Sequence, residues 1–201
     1  MDDWVLRAIE RWPNIPALAG WLGLDRRGRW LIRGEPIRHS RIIETINRNY
    51  GCDAHGRWFF QNGPQRGYIT LASAPFVLRR TEDSETLVTH TNLPVRRAQG
   101  AFLDEEGSLV LAIEQGAGEI AGDELEWVLR GLQRSGRNVR DEELADALAA
   151  PSGEITALTL HICGVELPII RLDFADAPVR LNFVRNPQPL EGERAASGAP
   201  D

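Results

Sequence analysis

The sequence contains no lysine: all 23 of its basic residues are arginine. It also has only two cysteines, two tyrosines and one methionine in 201 residues. Each scarcity excludes something. Two cysteines, Cys52 and Cys163, cannot build a disulfide framework. No apolar run approaches the roughly 20 residues that span a bilayer. The opening Met1-Asp2-Asp3-Trp4 offers neither the basic nor the apolar region of a secretion signal. These absences lead to the expectation of a soluble, cytoplasmic, bacterial protein with no membrane partner. The want of lysine has two readings. A genome rich in G and C produces it passively. Selection for bidentate anion contacts, which the guanidinium fork makes and an ammonium does not, produces it actively.

The chain is 42% hydrophobic, enough to bury a core in one domain or two small ones. Its net charge of -6 is unevenly spread. Residues 1–100 carry 15 arginines and 10 acids, residues 101–201 carry 8 arginines and 19 acids. The basic excess concentrates in residues 26–80, with 11 arginines against Glu35, Glu44 and Asp53. Half of the aromatic residues lie there as well.

Hydrophobic spacing predicts an α+β fold of two related modules, each a curved, mostly antiparallel sheet with a helix. Residues 1–23 read as a short helix followed by a Pro/Gly-rich connector from Pro13 to Gly23. Module one spans 24–80. It holds a strand at Arg29–Arg33, a helix capped by Ser40 and stopped by Gly51, and strands at 58–61 and 67–73. Module two spans 81–185, with a polar boundary at Thr81–Glu85. Asp104-Glu105-Glu106-Gly107 is a turn between strands. Gly116–Gly122 reads as a flexible connector, and Asp123-x-x-Glu126 opens a helix ended by Gly136. A hairpin turns at Cys163-Gly164, and Val179–Val184 reads as a closing strand. Residues 186–201 are expected to be a disordered tail. The order strand, helix, hairpin, Ala-Pro, strand occurs twice. Gly28-Arg-Trp-Leu-Ile aligns with Gly107-Ser-Leu-Val-Leu, and Pro75 with Pro178. Duplication is the preferred reading.

Trp30-Leu-Ile-Arg-Gly-Glu-Pro-Ile-Arg, an apolar helix, Trp58-Phe-Phe-Gln and Ile69-Thr-Leu-Ala-Ser-Ala-Pro-Phe76 together resemble a proteobacterial domain-of-unknown-function family, DUF1285. The match is good over residues 28–80 and weaker beyond, at Thr91-Asn92 and Pro168-x-x-Arg171. His39 and Ser73 depart from the pattern. The resemblance implies a duplicated α+β core whose C-terminal half is superficially like a pleckstrin-homology fold. It also implies a ligand site between the halves, for a nucleotide-like molecule, and a signalling role. No catalytic residues come with it.

Arg33, Arg38, Arg41 and Arg66 are the expected anion ligands. Arg38 and Arg41 flank a helix N-terminus, where the dipole already favours negative charge. The bland reading is a solvated arginine surface, or pairing with the acidic half of the chain. Cys52-x-x-His55 and His161-x-Cys163 could supply metal ligands only if their loops meet. Neither shows the pair spacing usual for zinc, so no metal or other cofactor is expected. Ser73, His39 and Asp53 have no spacing that joins them as a catalytic set. The expected function is therefore non-enzymatic binding of a small anionic ligand. One alternative is a nucleic-acid binder using the arginine and aromatic face of residues 26–80, which the acidic overall composition disfavours. The other is an enzyme with an unrecognised site.

Overall fold

A computed structural model of the chain describes residues 2, 3, 7, 17–81 and 86–190. It divides into two compact units. The first comprises residues 1–25, 29–72 and 183–201, the second residues 26–28 and 73–182. Most of the helix expected at residues 3–12, and residues 82–85 of the Thr81–Glu85 boundary loop, lie outside the described residues.

The first unit is a six-stranded sheet built from β1 (Ala17–Leu24), β2 (Trp30–Ile32), β3 (Glu35–Pro36), β4 (Tyr50–Cys52), β5 (Trp58–Asn62) and β6 (Gln65–Leu71). Its spatial order is β3-β2-β1-β6-β5-β4, with helix α1 (Ser40–Arg48) inserted between β3 and β4. The stretch read as a connector thus contains the strand β1, which pairs in parallel with β6 and antiparallel with β2. A bulge at Gly20, with φ of 77°, lets it carry extra residues against β6. The N-cap of α1 is His39, and Ser40 is its first residue. Ile46 from α1, Trp30 and Leu71 are buried in this unit, and Trp58 is 7% exposed. The indole Nε1 of Trp30 donates to Asn47 Oδ1 at 2.7 Å. The rings of Trp30, Tyr50 and Trp58 pack in series, the first pair edge-on and the second tilted, at centroid distances of 5.0 and 4.9 Å.

The second unit is a nine-stranded sheet. Its strands are β7 (Phe76–Arg80), β8 (Leu87–Thr89), β9 (Ala98–Leu103), β10 (Leu109–Ile113), β11 (Gly116–Ile120), β12 (Leu132–Arg134), β13 (Arg137–Asn138), β14 (Ile155–Ile162) and β15 (Val165–Arg171). Its helices are α2 (Leu125–Arg130), α3 (Asp141–Ala149) and α4 (Ala177–Arg180). Within the sheet, the order β11-β10-β9-β15-β14-β12 repeats the β3-β2-β1-β6-β5-β4 order of the first unit. The parallel central pair recurs too, as β9 against β15. Leu24 O accepts from Ala72 N, and Leu103 O accepts from Leu172 N, both at 2.9 Å. The fold is α+β, with two sheets that share one strand order.

Several local expectations change. The segment 116–120 is strand β11, not a connector. Its small residues are required, because a Cβ on Gly118 would lie 2.7 Å from Leu78 side-chain atoms of the neighbouring β7. Helix α2 stops at Gly131, and Ser135-Gly136, both at positive φ, turn β12 into β13. Residues 177–180 form a helix where a strand was expected. Pro178 lacks the N–H that a strand ladder needs but suits the first turn of a helix. Pro75, by contrast, leads into β7. The two prolines are not equivalent, although the strands before them are. Residues 186–190 are described and packed: Pro187 is buried, and Gln188 O accepts from Arg57 Nη1 at 3.0 Å. The rest of the expected tail, 191–201, lies outside the described residues.

Candidate functional site

The arginines of residues 26–80 meet different fates. At least six of the eleven, Arg26, Arg29, Arg48, Arg57, Arg79 and Arg80, form ion pairs. Arg57 is buried against Asp53 at 2.7 Å. Burial alone would push the Asp53 carboxyl up, but hydrogen bonds from Arg57 and His55 outweigh it and hold it low. None of Arg33, Arg38, Arg41 and Arg66 pairs with an acid among the described residues. Arg33 lies over the Trp21 ring at 4.1 Å. Arg66 lies over Phe59 at 4.0 Å and donates to Gln61 Oε1 at 3.3 Å. Arg38 and Arg41 are exposed near the start of α1. No hydrogen bond or ion pair brings any two of these four to a shared partner among the described residues.

The second unit contains a better-formed concavity. Helix α2 ends at Gly131, whose carbonyl accepts from His161 N of β14 at 3.0 Å. A Cβ on Gly131 would lie 3.0 Å from His161 O, so glycine is what lets the helix end approach this strand so closely. That approach brings Trp127 of α2 beside His161 and Ile162 of β14. Two cavities border these three residues, one of about 330 Å³ and one of about 340 Å³. The first is also lined by Arg96, Thr86 and Cys163. The second is also lined by Arg80, Arg130 and Gln133.

The surroundings fix these side chains. The carboxylate of Glu114 accepts from the backbone N–H groups of Arg96 and Arg97 at 2.8 and 3.1 Å. Burial pushes this carboxyl up, but those N–H donors outweigh it and keep it below its usual range. Glu114 is thereby engaged by main chain, and the Arg96 guanidinium has no polar partner among the described residues. Arg80 lies 5.6 Å from the Trp127 ring centroid and 3.7 Å from Glu124. Arg130 pairs with Glu126 at 2.7 Å, both highly exposed, an arrangement that water screens heavily. Burial, and then the charge of Glu114, raises the Cys163 thiol, so it stays protonated and is a poor nucleophile. The Cys52 thiol is likewise pushed up, to about 11, by burial and then Asp53. No group of His, Cys, Asp or Glu among the described residues could hold a metal ion.

In the same corner of the first unit the matching side chain is turned inward. There Asn49 O accepts from Gln61 N at 2.9 Å, matching Gly131 and His161. Gln61 is wholly buried, and its amide donates to Gly63 O and Gln65 O at 2.9 and 3.1 Å. His161, in the matching place, is exposed. Arg96 and Trp127 were missed in the sequence, and His161 was considered there only as a possible metal ligand beside Cys163. One signal existed: Trp127 falls off the apolar stripe Leu125, Val128, Leu129, Leu132, so the helix core did not account for it.

Comparison with known proteins places the chain. The family model described as "Protein of unknown function (DUF2946)" matches residues 1–188. The chain belongs to that family. No curated protein matches it. Among solved structures, this DUF2946 chain is similar to the crystal structure of a DUF1285 family protein from Silicibacter pomeroyi DSS-3. The TM-score is 0.52 at 15% identity, covering 85% of this chain and 96% of that one. A DUF1285 family protein from Shewanella baltica OS155 gives a TM-score of 0.39 at 14% identity, over 52% of this chain and 86% of that one. The resemblance to DUF1285 is therefore a likeness of fold, and membership lies with DUF2946.

Proposed function

We propose that this DUF2946 protein binds a small anionic, nucleotide-like ligand and does so without catalysis, as a cytoplasmic bacterial protein with a signalling role. The observation that carries the reading is the Trp127 cleft. It joins an indole face, an exposed imidazole and an arginine without a polar partner among the described residues in a concavity of small-molecule size. An arginine in such a place gives an anion charge-assisted hydrogen bonds at little cost in broken ion pairs. The four arginines Arg33, Arg38, Arg41 and Arg66 are the competing location for the same activity.

The test is a thermal-shift screen of nucleotides and other phosphate compounds, followed by titration of any that stabilise. Arg96→Ala should weaken binding about tenfold or more, the equivalent of one charge-assisted hydrogen bond, with the melting temperature of the free protein nearly unchanged. Loss of binding in Arg38→Ala and Arg66→Ala, with Arg96→Ala unaffected, moves the site to the first unit. A screen with no shift at all ends the ligand reading.

A further inference from the structure

We infer that the Trp127 cleft takes an elongated ligand with a flat middle and an anionic group at each end. This rests on the reading of that cleft as an anion site and adds the shape and charge pattern of the occupant. The two cavities are nearly equal in size and share Trp127, His161 and Ile162 in their linings. Each is near the lower end of small-molecule sites, and a ligand that uses both has room for a ring and two substituents. The cations divide between the two cavities. Arg96 lines only the first cavity of the two, and Arg80 and Arg130 line only the second. Trp127 borders both, with the Arg80 guanidinium 5.6 Å from its ring centroid. A flat ring laid there gains stacking area, and its two ends reach arginines on either side.

The nearby carboxylates leave those arginines available. Glu114 is held by the main chain of Arg96 and Arg97. Glu124 accepts from the backbone N–H of Arg80 at 3.1 Å, while its contact with the Arg80 guanidinium is longer, at 3.7 Å. Glu126 and Arg130 form an exposed pair that an incoming anion can replace at small cost. The second unit carries more acids than arginines, so a doubly charged ligand gains nothing from general attraction. Any advantage of the second charge must come from local contacts.

The experiment is calorimetric titration of the full chain with three probes: inorganic phosphate, phenyl phosphate and 4-carboxyphenyl phosphate. The last two share a ring and differ in one terminal anion. The two-ended probe should bind about tenfold more tightly than the one-ended probe, as one added charge-assisted contact provides. In Arg80→Ala/Arg130→Ala this advantage should vanish while phenyl phosphate binding is kept. Arg96→Ala should weaken both ring-bearing probes, and Arg134→Ala, outside the cavities, should change neither. Equal affinity of the two ring-bearing probes, with both still dependent on Arg96, overturns the two-ended ligand and leaves the anion site standing. Failure of all three probes removes the anion site at this cleft as well. An equal loss in Arg134→Ala would show non-specific attraction and overturn the inference.

Discussion

At the scale of single residues, the clearest contrast is between charges that are spent and charges that are not. Glu143 of α3 is buried under Arg134, Arg137 and Arg140, with Arg134 at 3.4 Å and Arg140 at 3.0 Å. Its carboxyl is held far below the usual range, first by the hydrogen bond from Arg137 and then by those from Arg140. A carboxyl whose folded value is depressed contributes stability above its unfolded value, and that stability drains away as pH falls. Glu143→Gln keeps the size, removes the charge and leaves three guanidinium groups facing one another. The variant should therefore be less stable than the wild type at pH 7. The gap should narrow progressively below about pH 4.3, the unfolded value for glutamate. Urea melts across pH 3–8 check this. A gap of constant size at every pH would show that packing, not charge, holds the residue. Arg96 is the opposite case, a guanidinium with no polar partner among the described residues, and it is the residue on which the proposed anion site depends.

At the scale of elements, one turn occurs three times. Asp25-Arg-Arg-Gly28-Arg29, Asp53-Ala-His-Gly56-Arg57 and Asp104-Glu-Glu-Gly107-Ser108 each put a carboxylate oxygen on the N–H four residues on, at 2.8, 3.0 and 2.7 Å. Each has glycine at positive φ in the fourth place. Asp104→Ala strips an acceptor from two backbone N–H groups, Glu106 and Ser108, and should cost about 1–3 kcal/mol. Asp104→Asn keeps one oxygen and should recover most of that in the same urea melts. A neutral Asp104→Ala would mean the glycine alone makes the turn. The Asp104–Gly107 turn was legible because both residue types act locally; the other two, of the same pattern, were passed over. Strand β1 was not: Gly20, Gly23 and the preceding prolines signal loop, and only pairing with β2 and β6 makes it a strand. Strand β11 was hidden the same way, since Gly118 answers to Leu78 rather than to its own neighbours. The cleft was hidden for a related reason. Arg80, Arg96, Trp127 and His161 come from four separate segments that no spacing connects.

At the scale of the whole molecule, the repeated strand order was half visible. The glycine before β2 and the glycine before β10 mark equivalent places, as do β6 and β15. The sequence similarity is nonetheless confined to turns and short apolar runs, since each sheet needs only the right alternation to fold. The first unit is discontinuous. Leu71 N donates to Arg185 O and Val184 N to Gly56 O, at 2.8 and 2.9 Å. Ending the chain after Asn182 should therefore lower amide-exchange protection around Leu71 and Arg57 and leave β9 and β10 unchanged. Loss spread evenly over both sheets, or none, would count against that division. The discontinuity also bears on how the chain is made. A ribosome releases β1–β6 first, then all of residues 73–182, and only then the segment that completes the first sheet. At roughly 5–20 residues per second, β6 waits on the order of 5–20 s for its last partner. The second sheet has by then received every residue it uses, including Arg26–Gly28, and is the first able to close on the emerging chain.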